Sequence, residues 1–194
     1  MIQYYNPDER QSLIRFTNSL RGLLEKHYSA GRDIVLVCIG SDRATGDCLG
    51  PIVGHKLKSY ERFLKKISFH LYGTLEKPIH AKNLEATIQF IQLYHPDSLI
   101  IAVDASLGVM EHVGYITLSE GSLTPGVGVD KNLPAIGDIC ITGIVNLSGF
   151  GGQMLLQTTH LHLVMQLADF IASGLYRSLS TRSSQLRPAL QRAE

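Results

Sequence analysis

Two stretches of this chain are apolar at every position: Ile34-Val-Leu-Val-Cys-Ile39 and Leu99-Ile-Ile-Ala-Val103. A strand with one solvated face alternates polar and apolar residues. A strand with no polar position must be covered on both faces, as in a parallel sheet sandwiched between helices. An acid follows each run, Asp104 at once and Asp47 after the loop Gly40-Ser-Asp-Arg-Ala-Thr-Gly. Open α/β sheets bind ligands outside the carboxyl ends of their strands, where the strand order reverses. Asp47 and Asp104 are therefore the first candidates for chemistry, provided the fold brings them into one crevice.

The elements between these runs support that sheet. Asn6-Pro7-Asp8-Glu9 carries the signals of a helix start, and Leu13, Phe16, Leu20, Leu23 and Leu24 then recur on one face before Gly31. The first strand spans Asp33 to Gly40, a helix runs from Gly50 to Tyr60, and a second strand from Ile67 to Thr74. A helix from Asn83 to Tyr94, stopped by His95-Pro96, leads to the third strand at Ser98–Val103. Strand, helix, strand at this spacing means right-handed crossovers and a mainly parallel sheet of five or six strands. If the first strand lies between the second and third, its end and that of the third flank the switch point.

Tyr115–Ser119 predicts a fourth strand, at an edge or antiparallel, and Asp138–Val145 a fifth. Between them Glu120 to Gly137 is rich in turn residues, and a connection that long is often functional. The final helix is expected from Thr158 to Leu179, with a solvated, mobile tail over 181–194. No linker or repeat divides the chain, so 1–194 reads as a single domain.

Composition excludes several classes. A net charge of +1 makes no electrostatic case for nucleic acid or a membrane surface. No apolar run approaches the roughly 20 residues that span a bilayer, and the N-terminus lacks the pattern of a secretory signal. The three cysteines, Cys38, Cys48 and Cys140, form no CxxC pair and read as free thiols in a reducing, cytoplasmic setting. No cofactor is expected. The Gly40–Asp47 loop lacks Gly-Lys-Ser/Thr and its acids repel phosphate, and Gly149-Phe-Gly-Gly152 lacks the GxGxxG spacing. Cys48 as a nucleophile would need a positioned histidine, which the spacing of His55 does not supply.

Taken alone, Asp47 reads first as the N-cap of the helix after it. Asp104 serves equally well as the acid that ties a turn. Together they offer a mechanism: two carboxylates a few ångströms apart share one proton, so one activates water while the other donates to a carbonyl. Ser41, Asp42, Lys131 and His160 are the expected substrate contacts around them. A metal-binding alternative adds His160 to the two acids; His160 and His162, two apart on a helix, cannot both face one ion.

The segments Thr45-Gly-Asp47-Cys-Leu-Gly-Pro51, Val103-Asp104-Ala105, Pro125-Gly-Val-Gly-Val129 and Ile136-Gly-Asp-Ile-Cys-Ile-Thr-Gly-Ile-Val145 occur in a telling order. Over residues 33–146 the chain resembles the spore germination protease and, more closely, the YyaC-type sporulation proteins. Both belong to a wider group that includes the hydrogenase maturation proteases. The resemblance implies a three-layer, phosphorylase/hydrolase-like α/β sandwich. It also implies that Asp47 and Asp104 match the carboxylates assigned to catalysis in the germination protease, which degrades small acid-soluble spore proteins. In hydrogenase maturation proteases two acids and a histidine bind nickel in the substrate, and His160 stands where that histidine would. The chain departs from germination proteases after Ala105, where it continues Ser106-Leu-Gly-Val.

The expectation is thus a sporulation-associated peptidase acting on protein or peptide substrates, with no nucleic-acid or membrane partner and a homodimer as its assembly. A metal-dependent processing peptidase and a non-catalytic binding protein on the same fold are the alternatives.

Overall fold

A computed structural model describes residues 1–28, 32–60, 64, 68–126, 133–149 and 151–185, with side chains to 181. The elements in chain order are β1 (Gln3–Tyr5), α1 (Ser12–His27), β2 (Ile34–Cys38), α2 (Leu49–Lys58), β3 (Phe69–Tyr72), α3 (Leu84–Tyr94) and β4 (Leu99–Gly108). They continue with β5 (Ile116–Glu120), β6 (Ile139–Leu147), α4 (Gly152–Gln157) and α5 (Leu161–Gln185). The six strands form one sheet in the order β1-β5-β6-β4-β2-β3. β6, β4, β2 and β3 are parallel, while β1 and β5 join antiparallel at one side.

The apolar runs are central because both their faces are covered. On one face α1, α2 and α5 close over Leu36, Ile101, Val103 and Ile141, with Phe16, Val53, Leu57, Leu167 and Ile171 fully buried between. On the other face α3 packs through Leu84 and Ile91 over Val35, Val37 and Ala102. Leu123 and Ile136, from the two described ends of the 120–137 connection, pair by a bridge and join that second core. This is the expected three-layer arrangement, and β2 lies between β3 and β4, the order under which the ends of β2 and β4 flank the switch point.

Several expectations are corrected in detail. Asn6 does not cap α1: its Oδ1 accepts the Asp8 amide N–H at 3.0 Å in a turn, and the helix begins at Ser12. The same side chain–backbone bond serves a turn or a cap. The preceding strand, β1, pairs Gln3–Tyr5 with Leu118–Ile116, so β5 is antiparallel without being the edge. α5 runs to Gln185, beyond the expected helix end at Leu179. Its last turns are held by Arg21, whose guanidinium donates to the Arg177 carbonyl at 3.2 Å and to Thr181 Oγ1 at 2.6 Å. The expected tail over 181–194 is thus helical at its start, and its part beyond 185 lies outside the described residues. No helix among the described residues is long and apolar enough to cross a membrane.

Candidate functional site

Strand β2 pairs with β4 only as far as Cys38 opposite Val103. Beyond that point β2 turns away into the Gly40–Asp47 loop, while β4 continues beside β6 to Gly108. Asp104 is the first β4 residue past the split. It does not end its strand as expected but sits inside it, because β6 keeps supplying ladder partners from Thr142 to Leu147. The opening between diverging β2 and β4 is the switch point of the sheet.

The loop is folded back over this opening by two features. Gly40 has φ of +139°, a conformation that side chains rarely adopt, and a Cβ there would collide with the Asp47 carbonyl oxygen. The Ser41 amide N–H then donates to that same Asp47 oxygen at 3.1 Å. Asp47 lies in a single 3-10 turn, Gly46–Cys48, and α2 follows directly without a side-chain cap. The N-cap reading of Asp47 therefore does not hold, and its carboxylate has no hydrogen-bond partner among the described residues. Junction α4–α5 lies against the turn, since a Cβ on Gly46 would meet Leu156 Cδ2 and Thr159 Oγ1 at 2.9 Å each. Asn146 on β6 donates to the Leu155 carbonyl at 2.8 Å and fixes that junction.

Asp104 is buried, with 7% of its surface exposed, and its Oδ1 accepts the Ala105 amide N–H at 2.8 Å. Burial pushes its pKa well above the usual carboxylate range. The nearby Asp47 charge raises it further, and the Ala105 N–H offsets only part of the rise. The structure thus brings together the two acids that sequence placed in different loops, with Asp47 half-buried and Asp104 inside. Alternation along β4 and β6 puts Asp104 on the same face as Ala102, Ser106 and Thr142. There Ser106 Oγ donates to Thr142 Oγ1 at 3.1 Å, which lies 2.7 Å from Thr117 Oγ1. This line of hydroxyls continues the polar wall beside Asp104, and sequence reading passed over it because serines and threonines in strands carry no local signal.

The other expected site residues fare unequally. Ser41 Oγ accepts the Arg43 amide N–H at 3.4 Å and shapes the loop, and Asp42 is exposed on it. His160 is exposed at the start of α5; Asp47, Asp104 and His160 are not among the groups of potential ligands whose donor atoms lie within 4.8 Å of one another. Lys131 lies outside the described residues. The Cys48 thiol is pushed up by burial, then by the Asp47 and Asp42 charges, which disfavours the thiolate a nucleophile requires. His80 belongs to the same end of the sheet through the Ile39–Ile79 bridge, and its Nδ1 is buried without a partner among the described residues. Only pairing between distant segments reveals it.

Comparison with known proteins bears on this geometry. The family described as "Protein of unknown function (DUF1256)" matches residues 4–174. The chain is 44% identical over 192 residues to the Bacillus subtilis (strain 168) protein described as "Uncharacterized protein YyaC", covering 98% of this chain and 90% of that one. In structure it resembles the [NiFe] hydrogenase maturation protease HycI from Thermococcus kodakarensis KOD1. The TM-score is 0.51 at 19% identity, over 81% of this chain and 98% of the other. At that identity the likeness establishes the fold, as the sequence resemblance implied.

Proposed function

The chain belongs to the DUF1256 family, and from that premise we propose that it is a peptidase of the germination-protease type, hydrolysing peptide bonds through Asp47 and Asp104. The observation that carries this reading is the pairing of a buried Asp104, whose pKa burial raises, with a half-buried Asp47 at the switch point of the sheet. Two acids whose surroundings separate their proton affinities can divide acid and base roles. The Asp47 carboxylate takes a proton from water as its oxygen attacks the peptide carbonyl carbon. Asp104 gives its proton to the carbonyl oxygen. On collapse that oxygen returns the proton to Asp104, the C–N bond breaks, and the proton held by Asp47 passes to the departing amine.

The hydroxyls of Ser106, Thr142 and Thr117 give hydrogen-bonding capacity to a substrate backbone, and Ser41, Asp42, Lys131 and His160 are the proposed outer contacts. Met154 and Leu161, exposed by 69% and 56% on either side of the α4–α5 junction, offer apolar contact to substrate side chains. The substrates in this reading are protein segments, small acid-soluble spore proteins among them, in a cytoplasmic spore or mother-cell compartment. The test is incubation of the purified chain with such proteins over a pH series. Wild type should cleave them, and Asp104→Asn and Asp47→Asn should each lose roughly 10²-fold or more of the rate, the usual worth of a general acid or base. Undiminished cleavage by Asp104→Asn refutes the assignment, and binding without cleavage by wild type supports a non-catalytic binding protein instead.

A further inference from the structure

A second group of ionisable side chains sits at the opposite, amino-terminal edge of the parallel strands. Asp33 immediately precedes β2, His70 is the second residue of β3, and His95 is the C-cap of α3. Their donor atoms lie within 4.8 Å of one another, and this is the one such group among the described residues. His70 Nε2 is 3.3 Å and His95 Nδ1 3.0 Å from the same oxygen, Asp33 Oδ2. The two imidazole rings lie 4.0 Å apart between centroids.

We propose that Asp33, His70 and His95 form a zinc-binding site, with a fourth position left to water.

The separations fit the ion. Zinc–nitrogen and zinc–oxygen bonds of about 2.0–2.2 Å in a tetrahedron place ligand atoms ~3.3 Å apart. Two imidazoles and a carboxylate are also the donor set that suits this metal. Two of the atoms not needed for ligation, Asp33 Oδ1 and His95 Nε2, are already occupied. Ser68 Oγ donates to Asp33 Oδ1 at 2.5 Å, leaving Oδ2 to the site. Tyr72 Oη lies 2.7 Å from His95 Nε2, so that nitrogen can carry the proton while Nδ1 stays free to ligate. Ser68, like the two histidines, is placed by the fold, and its φ of +46° is a conformation few non-glycine residues adopt.

A purely ionic reading of the group is less economical. It would hold two imidazolium rings 4.0 Å apart, tilted by 41°, beside one carboxylate, whereas a metal accepts both rings uncharged. Side-chain exposures of 10% for His95, 29% for Asp33 and 36% for His70 leave one side open for ion entry and for the fourth ligand. The ion would tie β3 and the end of α3 to β2, far along the strands from Asp104.

The test uses the full chain stripped with chelator and titrated with zinc chloride by calorimetry, then with cobalt chloride followed by visible absorption. One equivalent of zinc per chain and an intense tetrahedral cobalt spectrum are expected. His70→Gln, His95→Gln and Asp33→Asn should each weaken zinc at least tenfold and abolish the cobalt spectrum, while Asp104→Asn binds as wild type does. His70 lies on an exposed strand rim, so His70→Gln tests the site even if the deeper variants fail to fold. Absence of binding by the wild type, unchanged affinity in His70→Gln, or loss of binding in a folded Asp104→Asn variant would each overturn the proposal.

Discussion

Replacing Asp104 by asparagine should change how stability responds to pH, and the size of the effect follows from proton linkage alone. Burial raises the Asp104 pKa, so from the ordinary carboxylate value of about 3.9 up to the raised value the folded chain keeps a proton that the unfolded chain has released. Within that window each pH unit removes about 1.4 kcal/mol of folding free energy. The sign is fixed: the stabilisation is complete below the unfolded value and is lost as pH climbs through the folded one. For a chain of this size the slope amounts to about 3–6 °C in Tm per pH unit. Asparagine keeps an oxygen for the Ala105 N–H but titrates nothing, so a plot of wild-type minus variant stability should fall across the window. Any fixed cost of the new amide shifts that plot without tilting it. Urea unfolding of both proteins at half-unit pH steps gives the measurement. Asp47→Asn should leave the slope intact but end the window at a lower pH, since the Asp47 charge is the second cause of the rise. A difference plot that stays flat above pH 5 would mean that Asp104 titrates as a solvated acid, and the shared-proton mechanism would go with it.

Two further outcomes test the packing around the site. Gly54 lies where α2 meets the end of β3, and a Cβ there would strike the Gly73 carbonyl oxygen. Because that obstacle is backbone, Gly54→Ala should cost more than about 3 kcal/mol in urea unfolding, and a loss under about 0.5 kcal/mol would refute the close approach. Burial pushes the Cys140 thiol up to about 12 and the Cys38 thiol higher still. A disulfide reagent at pH 8 should therefore label neither in the folded chain, with both appearing only as fast as global unfolding, and faster labelling of either would contradict its burial.

The central sheet was legible because its signal is local and redundant: two uninterrupted apolar runs separated by helical periods leave few topologies. What escaped depends on partners distant in sequence. Gln3-Tyr4-Tyr5 is too short to show a period and becomes a strand only because β5 offers it an edge. Ala105 to Gly108 reads as a turn after an acid, yet extends β4 because β6 runs alongside it. Asp47 carried two readings, and the tight fold of the loop over Gly40 removes the capping one. The hydroxyls of Ser106, Thr142 and Thr117 and the grouping of Asp33, His70 and His95 come from different strands and a helix end. Neither set has a spacing that sequence could display.

The contact between Gly54 and Gly73 limits how far α2 can move against the end of β3. With helix and strand backbone already touching, that seam has no slack to surrender: it can neither close further nor tilt without breaking the core beneath it. Variation around the Asp47 turn is then left to the α4–α5 junction, where the Leu156 and Thr159 side chains face Gly46.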